Sequence, residues 1–162
     1  MRVLVVAASK HGATAEIAAY IGDRFRTMGF ECAVSDMTED PDPSGYEVAV
    51  LGSGVYAGQW LKEARRYVDR HATTLTKKRV WLFSSGPLGD PLKPEDEDAV
   101  KADDLVSATG ASGHRLFAGA LDKSKLSFGE RAIVKAVRAP DGDYRDWEDI
   151  DTWVSEIADS LR

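Results

Sequence analysis

Val3-Leu4-Val5-Val6-Ala7-Ala8-Ser9-Lys10-His11-Gly12-Ala13-Thr14 begins with six consecutive apolar residues and breaks into a small, polar turn. A continuous rather than alternating apolar run is what a strand needs when both faces of its sheet are covered. The period then changes. From Ala13 to about Met28, residues Ile17, Ala18, Ile21, Phe25 and Met28 recur at spacings of three and four, which predicts a helix with one buried stripe, and Gly29 supplies its stop.

The rest of the chain repeats this unit. Further strands are expected at Glu31–Ser35, at Val48–Leu51 ending on Gly52, at Arg79–Phe83, and at Arg115–Leu121. Helices are expected from about Trp60 to Ala72, between Asp96 and Val106, and from Trp147 to Leu161, the last with Ile150, Trp153, Val154, Ile157 and Leu161 inward. Strands alternating with helices predict an α/β fold, a doubly wound three-layer sandwich around a five-stranded parallel sheet with right-handed crossovers. Residues 1–162 are expected to form one domain. Asp122 to Tyr144, where a short connection would suffice, is an insertion.

Composition narrows the function. The 162 residues carry 21 Lys+Arg against 27 Asp+Glu, a formal net charge of −6, with 43% hydrophobic residues. That excludes a disordered or low-complexity chain, and it disfavours nucleic acid as a partner, since phosphate binding needs a net basic face. The single cysteine, Cys32, leaves no internal disulfide or thiolate metal cluster and is expected to be an inert buried thiol. His71 and His114 lack a carboxylate or cysteine at ligand spacing, so no metal site is expected. No leader and no run of about 18 apolar residues is present, which points to the cytoplasm and leaves peripheral contact at the inner face of a membrane open.

In an open parallel sheet, ligands bind beyond the carboxyl ends of the strands. Ser9-Lys10-His11-Gly12-Ala13-Thr14 lies there, between a buried strand and a helix N-terminus, with unpaired amides, a positive dipole end and two hydroxyls suited to a phosphate. It is neither a Walker loop nor the three-glycine dinucleotide fingerprint, and Ser9 and Thr14 acting only as helix caps is the plainer alternative. Gly52-Ser53-Gly54-Val55-Tyr56-Ala57-Gly58-Gln59-Trp60 follows the third strand with glycines that admit a close ligand and aromatics that can stack on a flat ring. Ser84-Ser85-Gly86-Pro87-Leu88-Gly89 follows the fourth. One phosphate site and two glycine-rich walls suggest a planar cofactor with a single phosphate tail.

The loop Ser9–Thr14 resembles the phosphate loop of flavodoxins. Tyr56-Ala57-Gly58, His71-Ala72-Thr73-Thr74-Leu75, Ala118-Gly119-Ala120-Leu121 and Tyr144-Arg145-Asp146-Trp147-Glu148 are similar to pieces of the menaquinone-dependent protoporphyrinogen oxidase (dehydrogenase) branch of that family, in order along nearly the whole chain. The resemblance implies strand order 2-1-3-4-5 and bound flavin mononucleotide (FMN). Its phosphate would sit on Ser9, Lys10, His11, Gly12, Ala13 and Thr14. Its ring would lie between Ser53, Gly54, Val55, Tyr56, Ala57 and Gly58 on one side and Ser85, Gly86, Pro87, Leu88 and Gly89 on the other. Tyr56 would stack on it and a carbonyl of the Gly54–Gly58 loop would meet N5. The flavin carries the chemistry, with no catalytic side chain required.

An electron carrier and an enzyme oxidising a porphyrinogen at the expense of a quinone both follow from this resemblance. A phospho-aspartate regulatory module of similar topology would need carboxylates where Ser9 and Ser53 stand. Charge is uneven along the chain. Asp90 to Asp104 holds seven acids and two lysines, and Arg115 to Arg138 six basic residues and two acids. Solvated surface explains both; a redox partner protein steered by the acidic strip, or anionic lipid or a quinone-bearing protein met by the basic one, is the functional alternative. In the oxidase branch the insertion is more aromatic and more basic than here.

Overall fold

Val3 to Ala8 alternate between two apolar layers, which is why the run has no polar break. Val3, Val5 and Ala7 pack with Ile17, Ile21, Phe25, Val154 and Ile157, while Leu4, Val6 and Ala8 pack with Ala64, Tyr67, Val68 and Leu82. Each large side chain so buried contributes roughly 1.5–3 kcal/mol. The computed structural model describes residues 1–56, 58–86, 102–121, 142–143 and 145–162.

The elements are β1 (Arg2–Ala8), α1 (Ala13–Thr27), β2 (Glu31–Asp36), β3 (Val48–Tyr56), β4 (Gln59–Trp60), α2 (Lys62–Leu75), β5 (Arg79–Gly86), α3 (Asp103–Thr109), β6 (Gly113–Ala118), β7 (Ala120–Leu121), β8 (Gly142–Asp143) and α4 (Trp147–Leu161). The main sheet runs β2-β1-β3-β5-β6, all parallel, with β4 antiparallel on the end of β3. With the two-residue β4 set aside, this is the expected 2-1-3-4-5 order, with helices over both faces.

Several boundaries differ from expectation. β3 does not stop at Gly52 and β5 does not stop at Phe83. Ser53 pairs with Ser84 and Gly54 with Ser85, so the glycine-rich stretches begin as sheet. The helix expected from Trp60 begins at Lys62, because Trp60 is held in the β3–β4 ribbon opposite Val55. The helix expected over 96–106 is described from Asp103 to Thr109. The expected fifth strand ends at Ala118, and Ala120–Leu121 pairs instead with Gly142–Asp143. Most of the 122–144 insertion lies outside the described residues.

Sheet order positions the site. β1 sends the chain to α1 on one face and its neighbour β3 sends it to α2 on the other. Diverging chains leave a crevice at the carboxyl ends of these two strands.

Candidate functional site

β1 delivers Ser9 to this crevice, and the turn that follows is made by Gly12. Its φ of 94° and ψ of −19° are left-handed values that glycine adopts without a Cβ clash, and Gly12 is the N-cap of α1. The Gly12 amide donates to Ser9 Oγ at 3.1 Å and closes the turn. No side chain caps the helix. The alternative in which Ser9 and Thr14 only cap the helix is thereby set aside, and the amides of the first turn of this fifteen-residue helix lie at its positive end without a side-chain cap.

Thr14 is buried, and its hydroxyl faces β3. A Cβ placed on Gly54 would lie 3.3 Å from Thr14 Oγ1 and 4.0 Å from the Ser85 carbonyl oxygen. The missing side chain of Gly54 thus lets the loop, β3 and β5 approach one another closely. Tyr56, half-buried at the end of β3, has the Lys10 ammonium 5.1 Å from its ring centroid, a cation–π contact that joins loop to wall. His11 is exposed on the loop and Ala13 half-buried.

Other residues brace the site. Ser53 is fully buried; its hydroxyl donates to the Gly54 carbonyl at 2.7 Å and accepts from the Leu61 amide at 3.1 Å, fixing the start of α2. Trp60 is core, and its indole N–H donates to Ser84 Oγ. Ser85 and Gly86 end β5 beside the crevice, and Val55 and Gly58 flank Tyr56 on the ribbon. Ala57, Pro87, Leu88 and Gly89 lie outside the described residues. Among the described residues no group of three His, Cys, Asp or Glu side chains is placed to hold a metal ion.

The family model for the flavodoxin domain matches residues 4–148. The chain belongs to the flavodoxin family. Among flavodoxins of known structure, it is similar to oxidised flavodoxin 1 from Bacillus cereus, at 18% identity and a TM-score of 0.65 with both chains wholly covered. It is also similar to a flavodoxin of Streptococcus pneumonia TIGR4, at 20% identity and a TM-score of 0.65 over 99% of each chain. A sequence relative is the protoporphyrinogen IX dehydrogenase (quinone) of Escherichia coli K12, 22% identical over 172 residues that cover 98% of this chain and 95% of the relative.

Two features of this flavodoxin-family site escape sequence reading. A crevice of about 260 Å³ opens on the β2 flank of the loop, lined by Ser9, Lys10, Asp36, Thr38, Leu61 and Lys62 among others. Asp36 turns the chain there, its Oδ1 accepting from the Thr38 amide at 2.8 Å and hydroxyl at 2.7 Å. The second feature is Arg145. It donates from Nε and Nη2 to the two Asp143 oxygens at 2.9 and 2.7 Å, and from Nη1 to Glu16 and, at 3.4 Å, to the Ala13 carbonyl. The Asp143 hydrogen bonds raise the guanidinium pKa, and in return they hold the Asp143 carboxyl below its ordinary value. Trp147, at the start of α4, is 36% exposed, with Tyr20 at 5.0 Å and Arg145 over its ring.

Proposed function

We propose that the chain binds FMN at the carboxyl end of its sheet and transfers electrons through it. The observation that carries this reading is the N-terminus of α1, turned by a left-handed Gly12 with no side-chain cap, and packed at Thr14 against Gly54 of β3. Amides at a helix N-terminus without a side-chain cap, beside the Ser9 and Thr14 hydroxyls, fit a phosphate ester. When bound, FMN supplies one- and two-electron transfer. The amides of the first turn bind the phosphate with Ser9 and Thr14. Lys10 adds positive charge at its rim, next to His11. Tyr56 and the ends of β3 and β5, with Ala57 and Pro87–Gly89, orient the ring. The Trp60–Ser84 bond ties the β3–β4 ribbon to β5.

The test is a titration of apoprotein with FMN and with riboflavin, which lacks the phosphate. Tight FMN binding and weak riboflavin binding are expected, and Ser9→Ala with Thr14→Ala should lose bound FMN. Equal affinity for both flavins, or an unchanged FMN affinity in that variant, refutes the phosphate assignment.

A second reading is favoured by the end-to-end similarity to a protoporphyrinogen IX dehydrogenase (quinone). In it the chain oxidises a porphyrinogen and passes the electrons to a quinone. Anaerobic incubation with protoporphyrinogen IX and menadione separates the two. Porphyrin formation identifies the enzyme, whereas reduction only by a reductase protein identifies the carrier. Among the described residues no helix is long and apolar enough to cross a membrane, so contact with a membrane-borne quinone would be at the surface.

A further inference from the structure

We propose that Arg145 is a positioning residue for the flavin phosphate, holding the Glu16 carboxylate so that the first turn of α1 does not present its negative charge to the phosphate. This rests on the FMN reading above. Glu16 is the fourth residue of α1 and the acid of its first turn. An acid there is stabilised by the helix dipole, but it competes with an anionic ligand for the same positive end. An unpaired Glu16 would therefore weaken binding at the loop only a turn away.

Arg145 is built to prevent this. Its side chain is only 11% exposed, while that of Glu16 is 65% exposed, so the arginine is the fixed partner and the glutamate the one that is held. Asp143, on the two-residue ribbon with Ala120–Leu121, occupies the Nε and Nη2 edge of the guanidinium in a forked contact. Trp147 lies beneath the plane, 5.0 Å from ring centroid to Cζ. The remaining Nη1 edge is thereby aimed at α1, where it meets both Glu16 and the Ala13 carbonyl at the first helical residue. Fork geometry of this kind belongs to arginine and is not reproduced by lysine.

The experiment is a double-mutant cycle read by flavin binding to apoprotein at low ionic strength, with FMN and riboflavin titrated separately. Arg145→Met should weaken FMN on the order of tenfold, the size expected of one unscreened charge near a phosphate, and leave riboflavin unchanged. Glu16→Gln alone should bind FMN no worse than wild type. The two together should return FMN affinity to within about twofold to threefold of wild type. Equal weakening of FMN and riboflavin in Arg145→Met, or no recovery in the double variant, would show a structural brace and overturn the proposal. An unchanged FMN affinity in Arg145→Met would overturn it as well. If Arg145→Met does not fold, Arg145→Gln with and without Glu16→Gln runs the same cycle with the same criteria. Wild-type protein that binds both flavins alike, or neither, refutes the underlying phosphate assignment and is distinguished before any variant is made.

Discussion

The Trp60 indole N–H donates to the Ser84 hydroxyl across 2.7 Å, with Trp60 only 2% and Ser84 0% exposed. The bond joins the β3–β4 ribbon to β5, the two walls of the proposed flavin cleft. Ser84 Oγ also lies 2.6 Å from His114 Nε2, so one hydroxyl serves both partners.

Ser84→Ala should therefore destabilise the protein by about 1–3 kcal/mol, because it leaves a buried N–H unpaired. The check is urea unfolding, with a lowered midpoint and an unchanged slope. Trp60→Phe combined with Ser84→Ala should be less harmful than the sum of the two single changes, since the phenyl ring leaves no donor to satisfy.

Gly12→Ala should weaken both fold and site. A side chain at φ 94° is strained by about 1–2 kcal/mol, and relief of that strain moves the amides of the first turn. A lowered melting temperature together with FMN affinity reduced by more than riboflavin affinity is the expected outcome. Calorimetry with the two flavins measures both.

Asp40 predicts an acid-dependent term. It adopts φ 50° and places one oxygen 2.7 Å from both Arg70 and His71, whose hydrogen bonds hold its carboxyl below the ordinary value of 3.8, His71 foremost. A native value below the unfolded one means that the contribution is present above 3.8 and is lost as pH falls through the native value. The stability gap between wild type and Asp40→Asn should be open at about pH 5 and close below 3.8. Urea midpoints across that range decide it, and a gap independent of pH would contradict the assignment.

Cys32 should react slowly. Burial is the main cause that pushes its thiol up to about 11 from 9.0, which leaves on the order of a hundredfold less thiolate at pH 8. Its rate with a disulfide reagent should rise by about that factor on unfolding in urea. A native rate equal to the unfolded rate would show the thiol open to solvent.

The legible and illegible parts of the chain divide by the range of the forces involved. Val3–Ala8, Val48–Leu51 and Val80–Phe83 declare themselves as two-sided strands because each residue must be apolar to meet a layer, and that demand is written locally. The inner stripes of α1 and α4 follow for the same reason. Ser53, Gly54, Ser84 and Ser85 carry no such mark. Their strand state comes from hydrogen bonds to one another across β3 and β5, which composition does not encode. Trp60 is buried from a small ribbon rather than from a helix, and Trp147 lies half out of the core against Tyr20 and Arg145.

Taken alone, the order of residues determined an α/β sandwich, its strand–helix alternation and a small polar turn between the first strand and the first helix, since periodicity and turn chemistry act over a few neighbours. Only the tertiary structure decided where strands end, which hydroxyls are consumed as braces, and that Arg145 lies against Glu16, 129 residues away. Such contacts depend on pairing and packing between distant segments, and no short window of sequence contains both halves.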